Sequence, residues 1–143
     1  MIYCTFYFVV PAPTVNTVVI GNETVGSSIT LKCNATVVKG INSGVDIIWI
    51  KDDTEVLREN DIVGYPVNGR KLLLYTSYYN ITLLQMSDND TVYNCQAVIN
   101  TNPLVNNSMN YTLNVIGEYN IIIIVLSLPD RKVLQLDKSS LNV

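Results

Sequence analysis

The chemistry open to this chain is bounded first by a residue type that it lacks: none of its 143 residues is a histidine. That removes Ser-His-Asp and Cys-His nucleophiles, histidine-bearing zinc sites and the usual proton shuttle at neutral pH. Carboxylates are what remain. Glu55, Glu59 and Asp61 fall in one stretch where paired carboxylates could serve a hydrolase. No oxyanion donor or cofactor motif accompanies them, and solvated surface charge is the better account. Asp88-Asn89-Asp90 and Asp52-Asp53 cluster the hard oxygens that calcium takes, yet neither has the loop spacing of an EF-hand. The expectation is a protein that is not an enzyme, with no catalytic residue, no metal and no cofactor. A calcium-dependent adhesion module is the weaker alternative.

Two further residue types carry information. The cysteines are Cys4, Cys33 and Cys95; no two stand at C-x-x-C spacing, and an odd count permits at most one internal disulfide. Sequons of the form N-x-[ST] begin at Asn22, Asn34, Asn80, Asn89, Asn106 and Asn110. One such motif means little, but six in a short chain point to an extracellular, glycosylated protein.

The elements that must position these residues are short strands. Val, Ile, Thr and Tyr dominate the runs, Asn, Asp and Gly separate them, and no long helical stripe interrupts. The chain is 48% apolar and 15% charged, which places it among folded domains and not disordered chains. A net charge of −3, with basic residues only in pairs such as Arg70-Lys71 and Arg131-Lys132, argues against nucleic acid as a partner. Residues 1–13 read either as a signal-like segment without the usual basic start or as a linker ending in Pro11-Ala12-Pro13. Residues 14–116 carry the domain, and 117–143 read as a C-terminal tail or truncated linker. The apolar run Ile121–Leu128 is too short to cross a bilayer, which takes about 20 helical residues, so no membrane span is expected within the chain. Its uncharged, β-prone start is an aggregation hazard where exposed.

Alternation predicts the inner faces. Ile29, Leu31, Cys33 and Ala35 share one side of a strand over 28–35, and Val45, Ile47 and Trp49 share one side over 45–51. Tyr93, Cys95 and Ala97 align over 91–97, and Met109, Tyr111, Leu113 and Val115 over 109–115.

This order of residues resembles the immunoglobulin superfamily, and most of all its intermediate (I-set) type. The match runs Gly26-x-x-Ile29-x-Leu31-x-Cys33, then Trp49, then Asp88-Asn89-Asp90-Thr91-Val92-Tyr93-Asn94-Cys95-x-Ala97, then Tyr111-x-Leu113-x-Val115. The resemblance implies an all-β, two-sheet Greek-key sandwich whose strands B and F are joined by a disulfide between Cys33 and Cys95. Trp49 of strand C would pack on that disulfide, with Leu31 and Tyr93 in the same core. Closing a 62-residue loop would stabilise the fold by about 4 kcal/mol. Burying an indole of about 150–250 Å² would add about 4–6 kcal/mol. Tyr93, two residues before Cys95, is placed for a tyrosine corner, its hydroxyl bonding back to the turn before strand F. The sequence departs from the family at Thr91, where Gly is usual, and at Asn89, where Asp is usual. That departure puts in doubt an ion pair between the neighbouring Asp88 and Arg70. The stretch Val38–Gly44 is also long for the loop between strands B and C.

The implied function is a protein-binding, adhesion or receptor module of the cell exterior, with a stand-alone secreted recognition domain as the alternative. Asn34 and Asn80 alternate outward on the sheet formed by strands A, B, E and D, where sugar would deny that face to a partner. The opposite sheet turns out Ile48, Ile50, Val92, Asn94, Gln96, Val98, Asn110 and Thr112. Ile48, Ile50 and Val98 are therefore candidates for an interface with another immunoglobulin-like domain or a protein ligand. A covering loop, or the segment around Val56-Leu57, is an equal account of them. Leu104 and Val105, in the loop Thr101–Asn106, are the second candidate contact.

Overall fold

Strands form here because β-branched and aromatic side chains alternate with polar ones between residues that favour tight turns. In the computed structural model, which describes residues 9–41, 43–117, 122–128 and 131–137, they are ten. In chain order these are β1 (Thr14–Ile20), β2 (Ile29–Val38), β3 (Val45–Lys51), β4 (Thr54–Glu59), β5 (Tyr65–Pro66), β6 (Leu72–Ile81), β7 (Val92–Ile99), β8 (Val105–Thr112), β9 (Ile122–Leu128) and β10 (Arg131–Asp137).

Two antiparallel four-stranded sheets result, in the orders β1-β2-β6-β5 and β4-β3-β7-β8, and the chain passes between them at β2–β3, β4–β5 and β6–β7. A separate antiparallel pair, β9 with β10, sets Leu128 opposite Arg131. The connections β3–β4 and β7–β8 are hairpins. The first is closed by Asp52 and Asp53 alone, with φ of 45° and 63°. Both are left-handed, the conformation that a two-residue hairpin of this hand demands and aspartate tolerates. This is an all-β, immunoglobulin-like sandwich.

Alternation decides the layers. Along β2 the inward side chains Ile29, Leu31, Cys33, Ala35 and Val37 are all buried, while Thr30, Lys32, Asn34 and Thr36 are only half so. Cys33 and Cys95 are bonded across the interior with their Cα atoms 6.3 Å apart, tying β2 to β7. Trp49 stands opposite Cys95 in register, and Ser77 of β6 stands opposite Cys33. The indole Nε1 of Trp49 donates to Ser77 Oγ at 2.9 Å. Two ties therefore cross the core side by side, one covalent and one hydrogen-bonded. The second satisfies a donor that burial would otherwise leave unpaired at a cost of about 1–3 kcal/mol. Tyr79 extends the cluster, its ring centre 5.9 Å from that of Trp49 and 5.6 Å from that of Tyr93.

Three expectations are corrected. The last sandwich strand begins at Val105 and not Met109, and ends at Thr112; Leu113 and Val115 are buried just beyond it. Met109 lies on the inner row opposite Cys95 yet is 44% exposed, because β8 is an edge strand with a hydrogen-bonded neighbour on one side only. The Tyr93 hydroxyl makes no tyrosine corner: no hydrogen bond from it is found among the described residues. The ring is held by its packing on Tyr79 and by Lys51 Nζ, 5.8 Å from its centre. The doubt about an ion pair at Arg70 stands: among the described residues Arg70 makes none, and Asp88 Oδ2 accepts from Gln85 N at 2.8 Å, capping the short turn Met86–Asp88.

Candidate functional site

The outer face of the β4-β3-β7-β8 sheet is not the open apolar surface that alternation suggested. Ile48 is 5% and Val98 8% exposed. In register, Ile48 is flanked by Arg58 on β4 and Gln96 on β7, and Val98 by Asp46 and Asn106. Arg58 stands beside Ile48 in register, its guanidinium bonded to Glu55 at 2.8 and 2.9 Å and 3.9 Å from Asp46 Oδ2. Asp46 is itself buried, and its Oδ1 accepts from Asp61 N at 2.9 Å and Asn100 Nδ2 at 3.1 Å. One buried carboxylate thus fixes the loop after β4 and the start of the β7–β8 loop. Gly44 leaves room beside it, since a Cβ there would displace the Asp61 carboxylate.

The remaining interface candidates are not brought together. Ile50 is half-buried in a shallow, open depression that it shares with Asp52, Asp53, Val92, Asn94 and Asn110. Val105 lies on the inner row opposite Ile99. Leu104 is 62% exposed at the loop tip, next to the cis Asn102–Pro103 bond, and Thr101 Oγ1 donates to Pro103 O across that loop. In the Val38–Gly44 loop, Asn42 lies outside the described residues, as does Cys4.

The carboxylates do not converge. Glu55 accepts two hydrogen bonds from Arg58, at 2.9 and 2.8 Å, which hold its carboxyl below the usual range. Glu59 turns inward at the end of β4, its Oε2 buried without a partner among the described residues. Asp52 and Asp53 form a turn, and Asp88 caps one. Among the described residues no three acidic or cysteine side chains gather as metal ligands.

The sequon asparagines lie outward. Asn22, Asn80, Asn106 and Asn110 are exposed, and Asn34 and Asn89 half so. The carbonyl oxygens of Asn34, Asn80 and Asn110 accept from Thr76, Thr30 and Asn94 respectively. In each case it is the carbonyl that is engaged, and no hydrogen bond from the amide nitrogen that would carry a sugar is found among the described residues. At Asn89 the amide donates to Asp90 at 3.0 Å, so that nitrogen is engaged.

No protein-family model matches the chain, and no curated protein matches it. Among solved structures, the chain is similar to the crystal structure of MHC-like MILL2, at 16% identity and a TM-score of 0.43. The match covers 72% of this chain and 34% of that one, so the chain spans about a third of the length of the structure it matches. The fold therefore rests on strand order and the buried disulfide.

Glu23 was invisible to sequence reasoning. Its Oε2 accepts from the Tyr111 hydroxyl at 2.9 Å, its Oε1 from Asn114 N at 3.0 Å, and its backbone O from Ile116 N at 2.7 Å. A parallel bridge, Thr24 to Ile116, follows directly. Burial, reinforced by the Glu23 carboxylate, pushes the Tyr111 phenol up to about 12. Asp46, Ser77 and Leu84 were likewise missed. Leu84 is fully buried after β6, beside an exposed Leu83 at φ 57°. The one available signal was the alternation Tyr75-x-Ser77-x-Tyr79, which turns Ser77 to the same side as two aromatics.

Proposed function

We propose that the chain is an extracellular protein-binding module of the adhesion or receptor type, which recognises another protein through its surface and carries out no catalysis. The observation that carries this reading is the contrast between a wholly buried disulfide and sequon asparagines that face outward on both sheets. Disulfides persist in oxidising compartments, and sequons are used only on chains that enter the secretory pathway. The carboxylates that a histidine-free enzyme would need are taken up separately, by Arg58, by a hairpin turn and by a cap. The unit of binding is residues 14–116. The parallel bridge of Thr24 to Ile116, with a fourth strand beside the third, supports the intermediate-set type.

Expression in mammalian cells tests the reading. The expected product is secreted, loses mass on treatment with a peptide glycosidase, has no free thiol at Cys33 or Cys95, and, tetramerised, binds a protease-sensitive cell-surface component. Retention inside the cell with both thiols free would overturn it.

A further inference from the structure

The open edge of β4 is complementary to itself. Asn100 N donates to Gly44 O and Asp52 N to Val92 O, so the even-numbered residues of β3 direct their backbone groups to β7. Its odd-numbered residues therefore face β4, and Ile62 N, donating to Val45 O, agrees. Glu59, Leu57 and Thr54 stand opposite Ile47, Trp49 and Lys51, so their backbone groups are bonded to β3. Glu55 and Arg58 are left presenting N–H and C=O to the unpaired edge.

In a regular strand, residues three apart point to opposite faces and opposite edges. Here the bulge opposite Trp49/Ile50 inserts Val56, so Glu55 and Arg58 share the outer face, opposite Ile50 and Ile48. An antiparallel partner strand centred between Val56 and Leu57 would set Glu55 against Arg58 of a second copy, and Arg58 against Glu55. Backbone donors would meet acceptors, and each Glu55 carboxylate, already held by Arg58 of its own chain, would meet the guanidinium of the second copy as well. Thr54 would meet Glu59.

The geometry points to a second copy of this chain as the occupant of this edge, the two β4 strands pairing antiparallel about a two-fold axis to make one continuous sheet. This rests on the reading of the chain as a binding module and makes its recognition homophilic. Charges on an edge strand ordinarily deter pairing; opposite charges in matching register deter every register but one. The same flank exposes Val63 and Tyr65 to 69% and 68%. No sequon occurs between Asn34 and Asn80, so no sugar stands on β3, β4 or β5, whereas the opposite edge, β8, carries those at Asn106 and Asn110.

Sedimentation equilibrium on the secreted, glycosylated chain, over a wide range of concentration and salt, tests this. A concentration-dependent dimer that weakens with salt is expected. Arg58→Glu, which opposes like charges at both symmetric positions, should weaken it by about tenfold or more. The double swap Glu55→Arg with Arg58→Glu restores the complement and should restore the dimer, with a cooperative thermal melt showing that each variant folds. A monomeric mass throughout, a dimer indifferent to Arg58→Glu, or a swap that recovers nothing would overturn the proposal. A monomer that still binds cells would leave the binding reading standing.

Discussion

The two flanks of this sandwich are finished differently. On one, β1 and β8 are joined across the sheets: Thr24 bridges Ile116, Asn107 Nδ2 donates to Pro13 O at 3.0 Å, and Glu23 ties Tyr111 and Asn114. On the other, β4 and β5 end their sheets without such a bridge among the described residues, beside exposed Val56, Val63 and Tyr65. The closed flank also carries the sequons of β8. An edge strand can be protected by covering it within the molecule or by restricting what will pair with it. This chain does the first at β8 and leaves the second to the charges of β4, so stability is concentrated on one side and availability on the other.

The largest expected effect is one that both flanks should share. Replacing Cys33 and Cys95 together by Ala removes a tie midway between them and should cost about 4 kcal/mol, read by denaturant unfolding. Amide exchange should quicken on both sides; quickening at β8 alone would mean that the disulfide serves the closed flank. Next comes the difference itself. Glu23→Ala deletes two acceptors and should cost about 2–3 kcal/mol. Val63→Ser and Tyr65→Ser, on the open flank, should each stay within about 0.5 kcal/mol. Equal losses would erase the distinction.

The smallest effect is a pH dependence, read on the closed flank at Tyr111. The Tyr111 phenol titrates higher in the folded chain, about 12, than the ordinary 10, so the fold favours the protonated form. Its contribution is complete below pH 10 and is lost as pH climbs from 10 toward 12. Tyr93 is raised similarly by burial, so Tyr111→Phe should flatten part of the alkaline decline and leave the rest. Glu55, on the open flank, has the opposite sign: its lowered carboxyl favours the ionised form, present above the usual carboxylate range and lost toward acid. An alkaline curve unchanged by Tyr111→Phe would detach Glu23 from that flank.

How much of this was legible depends on the reach of the cause. Alternation within a strand is local, and it placed Leu31, Cys33, Ile47, Trp49, Tyr93 and Cys95 on inner faces. It could not give the exposure of Ile48, because that depends on its neighbours across the sheet, Arg58 and Gln96, and the register of the first follows from a bulge. Nor could it locate the start of β8, since polar Asn106, Asn107 and Ser108 on an edge strand satisfy no burial pattern. The cross-links made by Glu23, Asp46 and Ser77 join residues distant in sequence, and single-residue chemistry does not announce a partner. The binding candidates suffered most: alternation assigns a face, while availability depends on what lies across it.

The side-by-side crossing of the core has an optical consequence. Trp49 is the only tryptophan in the chain, and it lies in register with one sulfur of the bridge. A disulfide is an efficient quencher of excited indole, so the intact protein should be dim, and cutting that single bond should brighten it before the sheets part. The redox state of the interior is therefore readable as light from one residue.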